Sequence, residues 1–260
     1  MFDALITKNH LIGWIRSYFS ETNQAKAIIG ISGGKDSAVC AALCKEALGR
    51  ERVLGCLMPD GLQPDINFSY DFVRHLDIPH IEINIGNSVS ALFDALNHAV
   101  NTQTPPMFIE RDLLNAPQVR INTPPRVRMT VLYALAAAYG GRVCHTGNKS
   151  EGYVGYTTKY GDSAGDFAPL MELTATEVIE IGKIMEIPEV FISRPPTDGL
   201  TGKTDEENLG FTYKILDKYI RTGVCEDAGL KAKIDLLHKT NLHKTSPISR
   251  FIQAEVSDAL

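Results

Sequence analysis

The 260-residue sequence predicts an α/β protein with a mostly parallel sheet. Short apolar runs at 26–31 (KAIIGI), 52–58 (RVLGCLM) and 80–85 (HIEINI) have the length and β-branched content of buried strands. A stretch with helical spacing follows each run, so the connections are right-handed crossovers between parallel strands. Gly49 and the Pro59-Asp60-Gly61 turn punctuate the alternation.

Along the chain, Leu11, Ile12, Ile15, Tyr18 and Phe19 fall at helical spacing and predict an amphipathic N-terminal helix rather than a secretory leader. Residues 38–48 form a helix that stops at Gly49, a glycine suited to a helix C-terminus. Further helices are expected at 63–75 and 88–101, an irregular Pro-containing stretch at 102–118, a helix at 124–140 and a fourth strand at 142–145. Residues 146–166 are rich in Gly and Tyr and lack periodicity; long segments of this kind within a domain are often functional. Thr174 with Glu177, and Thr204 with Glu207, have capping-box spacing and start helices running to about 185 and 221, with Pro195-Pro196 a break between them. No composition shift marks a boundary, so residues 1–260 are read as one domain ending in a mobile tail at 253–260.

Lys and Arg number 26 against 31 Asp and Glu, a net charge of −5 that speaks against a nucleic-acid or membrane partner. No apolar run is long enough to span a bilayer. The cysteines (Cys40, Cys44, Cys56, Cys144 and Cys225) are odd in number and form no C-x-x-C, which suits small core residues in a reducing cytoplasm.

The sharpest chemical signal is strand, Ser32-Gly33-Gly34-Lys35-Asp36-Ser37, helix. A glycine turn into a helix exposes successive backbone N–H groups to an anion, and the helix dipole adds positive potential. Ser32 and Ser37 offer hydroxyls. Asp36 by itself repels phosphate, so its presence points to a bridging cation such as Mg²⁺. Neither Gly34-Lys35-Asp36 nor Gly202-Lys203-Thr204 completes a Walker A loop, and no G-x-G-x-x-G follows a strand.

Ser32–Ser37 resembles the SGGxDS pyrophosphate loop of the N-type ATP pyrophosphatases. Further segments narrow the resemblance: Asn122 with Arg126, Arg128 and Met129; Thr146-Gly-Asn-Lys-Ser150-Glu151; Gly155-Tyr156-Thr-Thr-Lys159-Tyr-Gly161-Asp162; Pro196-Thr197-Asp-Gly-Leu200; and Thr204-Asp205-Glu206. In this order they resemble the ammonia-dependent NAD synthetases, over about residues 5–252. The resemblance implies a doubly wound, mostly parallel five-stranded sheet flanked by helices, of the adenine nucleotide alpha hydrolase type. It implies that deamido-NAD is adenylated by ATP with loss of pyrophosphate, and that ammonia then displaces AMP to leave NAD. It also implies a homodimer with deamido-NAD near the subunit interface.

Carried over residue by residue, Gly30, Ile31, Ser32, Gly33, Gly34, Lys35, Asp36 and Ser37 hold the ATP phosphates, and Thr146 and Thr197 also contact ATP. The side chain of Lys35, at a variable position of the loop, carries no assigned role. Asp36 and Glu151 are the catalytic pair and hold Mg²⁺. Arg126, Lys159, Asp166, His243 and Lys244 bind deamido-NAD, with 152–166 as a lid; His238-Lys239 competes with His243-Lys244 for the last role. Many family members have Lys where this chain has Ala175, and Lys149, Lys183 or Lys203 is a candidate replacement. The motifs take up nearly all of the chain, which leaves no room for a glutaminase domain and predicts free ammonia as donor. The competing readings are a GMP synthetase ATPase domain, a tRNA thiolase (which needs a working Cys, with Cys144 nearest) and a non-catalytic adenine-nucleotide sensor.

Overall fold

A computed structural model describes residues 2–102, 116–193 and 204–251. The strands β1 (Lys26–Gly30), β2 (Val53–Leu57), β3 (His80–Glu82) and β4 (Gly141–Val143) form one sheet in the order β3-β2-β1-β4. All neighbours pair parallel; Ile28 lies opposite Leu54 on one side and Val143 on the other. Alternation along β1 separates two cores. Ala27 and Ile29 face a layer containing α1 (Ala4–Ser20), α2 (Lys35–Leu48), α3 (Ile66–Leu76), α7 (Ala175–Ile184) and α8 (Glu189–Ile192). Ile28 faces the opposite layer, α4 (Gly86–Thr102) and α5 (Pro117–Tyr139). The sheet is therefore doubly wound.

A third apolar cluster joins α6 (Lys149–Val154), α9 (Asp205–Leu209), α10 (Tyr213–Thr222) and α11 (Ala228–Asn241) through Val154, Leu209, Leu216 and Ile234. Ser150 on α6 donates its hydroxyl to Asp217 on α10, and the Tyr213 ring of α10 lies beside Lys35 at the start of α2.

The described residues contain four strands, not five. The free edge of β4 is met by Asp166 and Phe167, whose backbone bonds Val143 and His145 at 2.8 Å each. Only the Cys144–Phe167 bridge forms there, and Pro169, just beyond, has no N–H to extend it. The helix expected at 124–140 starts earlier, at Pro117, so Pro124 and Pro125 lie inside it. Their rings supply no N–H to the helix ladder, and the preceding turn is held by Asn122 Nδ2 and Thr123 Oγ1 donating to the carbonyls of Gln118 and Val119, 2.7 Å each. The helix expected from Thr204 to about 221 is broken at Gly210 (φ +74°) into α9 and α10. The tail at 253–260 and most of the 102–118 stretch lie outside the described residues.

Candidate active site

From β1 the chain moves outward to β2 and β3, then returns to β4 on the other flank of β1. The connections after β1 and β4 thus diverge at one point of the carboxyl edge, the switch point at which such sheets bind ligands. Both motif loops emerge there.

After β1, Gly33 takes φ +81°, which a side chain disfavours, and Gly34 caps α2 without a side-chain bond of its own. Serine hydroxyls tie the turn. Ser37 Oγ donates to the Gly34 carbonyl at 3.0 Å, and Ser32 Oγ accepts from the Gly34 N–H at 3.2 Å. The first turn of α2 holds Lys35, Asp36 and Ser37.

After β4, Asn148 begins α6 with a reciprocal capping box: its side-chain oxygen accepts from the Ser150 and Glu151 N–H groups, while Glu151 Oε2 accepts from the Asn148 N–H at 3.0 Å. The same asparagine donates Nδ2 to Asp36 Oδ1 at 2.9 Å, across 112 positions of sequence. One buried residue therefore orients both carboxylates, Asp36 through its side-chain amide and Glu151 through its backbone N–H. Burial, and then the charge of Asp36, push the Glu151 carboxyl up to about 8, against the pull of Lys35 and of the Asn148 N–H. Two carboxylates whose proximity resists joint ionisation are a donor set suited to a hard divalent cation, which relieves that repulsion. The residues present fit Mg²⁺, with Asp36 and Glu151 the ones that would hold it.

Lys35 is 5% exposed and donates to Asp36 Oδ2 at 2.7 Å. Its ammonium lies 5.6 Å from the Tyr213 ring centroid, and Tyr213 donates its hydroxyl to buried Asp205 at 3.2 Å. Burial works against the lysine's charge, but Asp36, Glu151 and Asp205 outweigh it and raise its pKa. Burial and then the same carboxylates keep the Tyr213 phenol protonated.

A cleft of about 620 Å³ opens beside Glu151, lined among others by Tyr153, Lys159, Tyr160, His238 and Lys244. A second hollow of about 600 Å³ lies between the loops after β2 and β3, at Asp60, Gly61, Asn84 and Gly86.

The structure brings Asp36, Glu151 and the 30–37 loop together, and Thr146 is half-buried just beyond β4. Lys159 and Lys244 line the cleft, and Lys244 Nζ donates to the Gly155 carbonyl at 2.7 Å. Arg126 is exposed, with Nε 3.1 Å from the Lys159 carbonyl, so it touches the cleft through that residue's backbone. The Asp166 carboxylate accepts from the Val143 N–H at 2.7 Å and the Tyr133 hydroxyl at 3.3 Å, at the sheet edge. His243 is exposed and turns back to the Thr240 carbonyl, whereas His238 stacks on Tyr153 with ring centroids 4.1 Å apart. Each competing His-Lys pair thus sends one member to the cleft: His238 from one and Lys244 from the other. Thr197 and Lys203 lie outside the described residues. Lys149 lines the cleft but pairs with Glu172, and Lys183 pairs with Glu180.

Reasoning from sequence missed Asn148, Tyr213 and His145 as site residues. Asn148 lies inside the Thr146–Glu151 motif, but its double role is set by the approach of Asp36 from the other loop. Nothing in the local pattern marks His145, whose Nδ1 is buried without a partner among the described residues. Burial lowers its pKa, so the imidazole facing the cleft is neutral.

Comparison with known proteins identifies the family and the fold. The NAD synthase family profile matches residues 7–254. An NH(3)-dependent NAD(+) synthetase from Carboxydothermus hydrogenoformans is 37% identical over 82% of this chain and 84% of its own length. The structure of NMN synthetase from Francisella tularensis superposes with a TM-score of 0.83 at 28% identity, covering 96% of this chain and 99% of that one. The NH3-dependent NAD synthetase from Campylobacter jejuni, in complex with nitrate, gives 0.72 at 25% identity over 97% of this chain and all (100%) of that one. With a profile match across almost its whole length, the chain belongs to the NAD synthase family.

Proposed function

We propose that this protein amidates deamido-NAD to NAD with ATP and free ammonia. The observation that carries the reading is the meeting of Asp36 and Glu151 on Asn148 at the sheet's switch point. The nicotinate carboxylate attacks the α-phosphorus of ATP, forming an acyl-phosphate bond as pyrophosphate leaves. Ammonia then attacks the acyl carbon, AMP departs, and the nitrogen loses a proton. Adenylation is needed because a carboxylate is a poor electrophile. The Gly33-Gly34 turn and the amino end of α2 grip the departing pyrophosphate. When bound, Mg²⁺ supplies charge neutralisation at the phosphates, and Asp36 and Glu151 are its protein ligands. Lys159 and Lys244, on the walls of the cleft, bind the acceptor's phosphates. Residues 152–166 cover the adenylate and keep water away.

Among the described residues no helix is long and apolar enough to cross a membrane, and we place the reaction in the cytoplasm. The active form is a homodimer.

A specific observation favours a second acceptor. The NMN synthetase superposes better (TM-score 0.83) than the Campylobacter jejuni NAD synthetase (0.72), which supports nicotinate mononucleotide as an alternative. The test is ATP/pyrophosphate exchange and amide formation with each acceptor in turn. Exchange that depends on deamido-NAD is expected. Faster turnover of nicotinate mononucleotide moves the assignment to the second reading. Exchange only with xanthosine monophosphate, or ATP binding without turnover of any acceptor, overturns both.

A further inference from the structure

Lysines are almost never fully buried unless paired, and Lys35 is buried at the centre of the acidic site. The charged and titratable groups facing it are Asp36, Glu151 and Asp205, with the Tyr213 phenol beside them. Both oxygens of Asp36 already have a partner: Oδ1 accepts from Asn148 and Oδ2 accepts from Lys35. A magnesium ion binds a carboxylate oxygen at about 2.1 Å. With the ammonium 2.7 Å from that same oxygen, the two cations would stand no more than about 5 Å apart. At that distance the ammonium and a divalent ion beside Asp36 Oδ2 repel one another.

We propose that Lys35 is a resident counter-cation of the metal pair: in the metal-free enzyme its ammonium stands in for the divalent ion beside Asp36, and metal binding turns it toward the phosphates of ATP. The lysine is suited to this. Its charge is a compact point on a flexible stem, able to move by rotation without unfolding the turn. The stem is rooted in the first turn of α2, directly after Gly33-Gly34, where the departing pyrophosphate is held. The buried acid Asp205, which accepts from the Tyr213 hydroxyl, adds to the negative charge around the ammonium. The consequence is energetic coupling between metal and nucleotide. The metal alone must displace an ammonium that has nowhere anionic to go; with the nucleotide present, the displaced ammonium gains a phosphate partner. Each ligand then tightens the other.

The inference rests on the reading of Asp36 and Glu151 as metal ligands, and the experiment separates the two. Free Mn²⁺ is measured by its electron paramagnetic resonance signal during titration of wild type, K35M, K35M/D205N and E151Q, alone and with a non-hydrolysable ATP analogue. The double variant removes one positive and one negative charge, so it preserves the balance of the cluster if K35M alone fails to fold; circular dichroism checks the fold of each. In K35M/D205N, Mn²⁺ alone should bind at least about tenfold tighter than in wild type, and the further tightening caused by the nucleotide should shrink by a similar factor. Unchanged or weaker Mn²⁺ binding in the folded double variant overturns the proposal, as does a nucleotide effect equal to that of wild type. If E151Q binds Mn²⁺ like wild type, the metal pair itself is misassigned and the role of Lys35 falls with it. If E151Q loses the metal while the lysine variants behave like wild type, only the role of Lys35 falls.

Discussion

Glu151 carries two tasks in a few ångströms: one oxygen closes the capping box of α6, and the carboxyl faces Asp36. Burial and that neighbouring charge raise its pKa from 4.5 to about 8 in the metal-free protein. An acid that holds its proton more tightly folded than unfolded contributes stability below its unfolded pKa and loses it as pH climbs through its folded pKa. Between pH 5 and 8.5, metal-free wild type should therefore lose roughly 2–4 kcal/mol relative to E151Q, whose amide does not titrate. Chemical denaturation in the presence of a chelator measures this as the difference between the two pH profiles. Parallel profiles would remove the idea that the carboxyl is desolvated against Asp36. Addition of Mg²⁺ at pH 8.5 should narrow the gap, because the ionised pair is the form that holds a cation. Asp36 and Glu151 could be singled out from motif context, since each stands in a short segment with a fixed neighbourhood. The balance of charge around them could not, because Asp205 and Tyr213 reach the site from α9 and α10, more than fifty residues further along the chain.

Elements marked by local chemistry were legible in advance: the strands by their β-branched runs, α7 and α9 by their capping boxes, and α2 by Gly49. The start of α5 was hidden because Pro124-Pro125 reads as a helix boundary, while here the helix runs through it. The length of the sheet was misjudged for a similar reason: a parallel neighbour needs a ladder of N–H groups, and the segment beside β4 ends at Pro169 after one bridge. The 146–166 segment looked structureless because α6 has only six residues, too few to show a period. Its end is tightly seated. Gly155 takes φ +67°, and a Cβ there would come within 2.1 Å of the Asn241 Cβ on α11. Asn241 in turn donates to the Val154 carbonyl at 3.2 Å, and Lys244 donates to Gly155 itself at 2.7 Å. G155A should cost about 2–4 kcal/mol, combining left-handed strain with overpacking against α11. It should also raise the KM for the acceptor, because Lys244 is held by the same contact. Urea denaturation and steady-state kinetics check both effects. A loss below about 0.5 kcal/mol would mean that α11 yields easily and is not the fixed wall of the cleft.

At the scale of the whole molecule, the doubly wound sheet delivers both motif loops to one point, and that convergence follows from strand order rather than from any single residue. The order was not readable locally, since a sequence of parallel crossovers is compatible with several arrangements. For the proposed homodimer, the outer faces of the two helical layers are the candidate seats. On α4, Val89 and Phe93 point into the core, while Leu92 and Leu96 stand outward, 41% and 37% exposed, one helical turn apart. On α1, Leu5 and Ile6 are each 55% exposed on the opposite side of the sheet. The α4–α5 face is the better seat for a second copy, because Tyr133 on α5, itself 39% exposed, also lines the cleft proposed for the acceptor, so a partner there borders it. Light scattering should give a mass twice the 28.5 kDa of the chain. L92E/L96E should shift it to monomer, with a reduced affinity for deamido-NAD and an unchanged unfolding midpoint of the separated subunit, since two buried charges at an apolar interface are strongly unfavourable while the same charges on a free helix surface are not. L5E/I6E should leave the dimer intact. Dissociation by the α1 pair instead would move the interface to the other layer and detach it from the cleft, and a wild-type mass of one chain would end the dimer reading altogether.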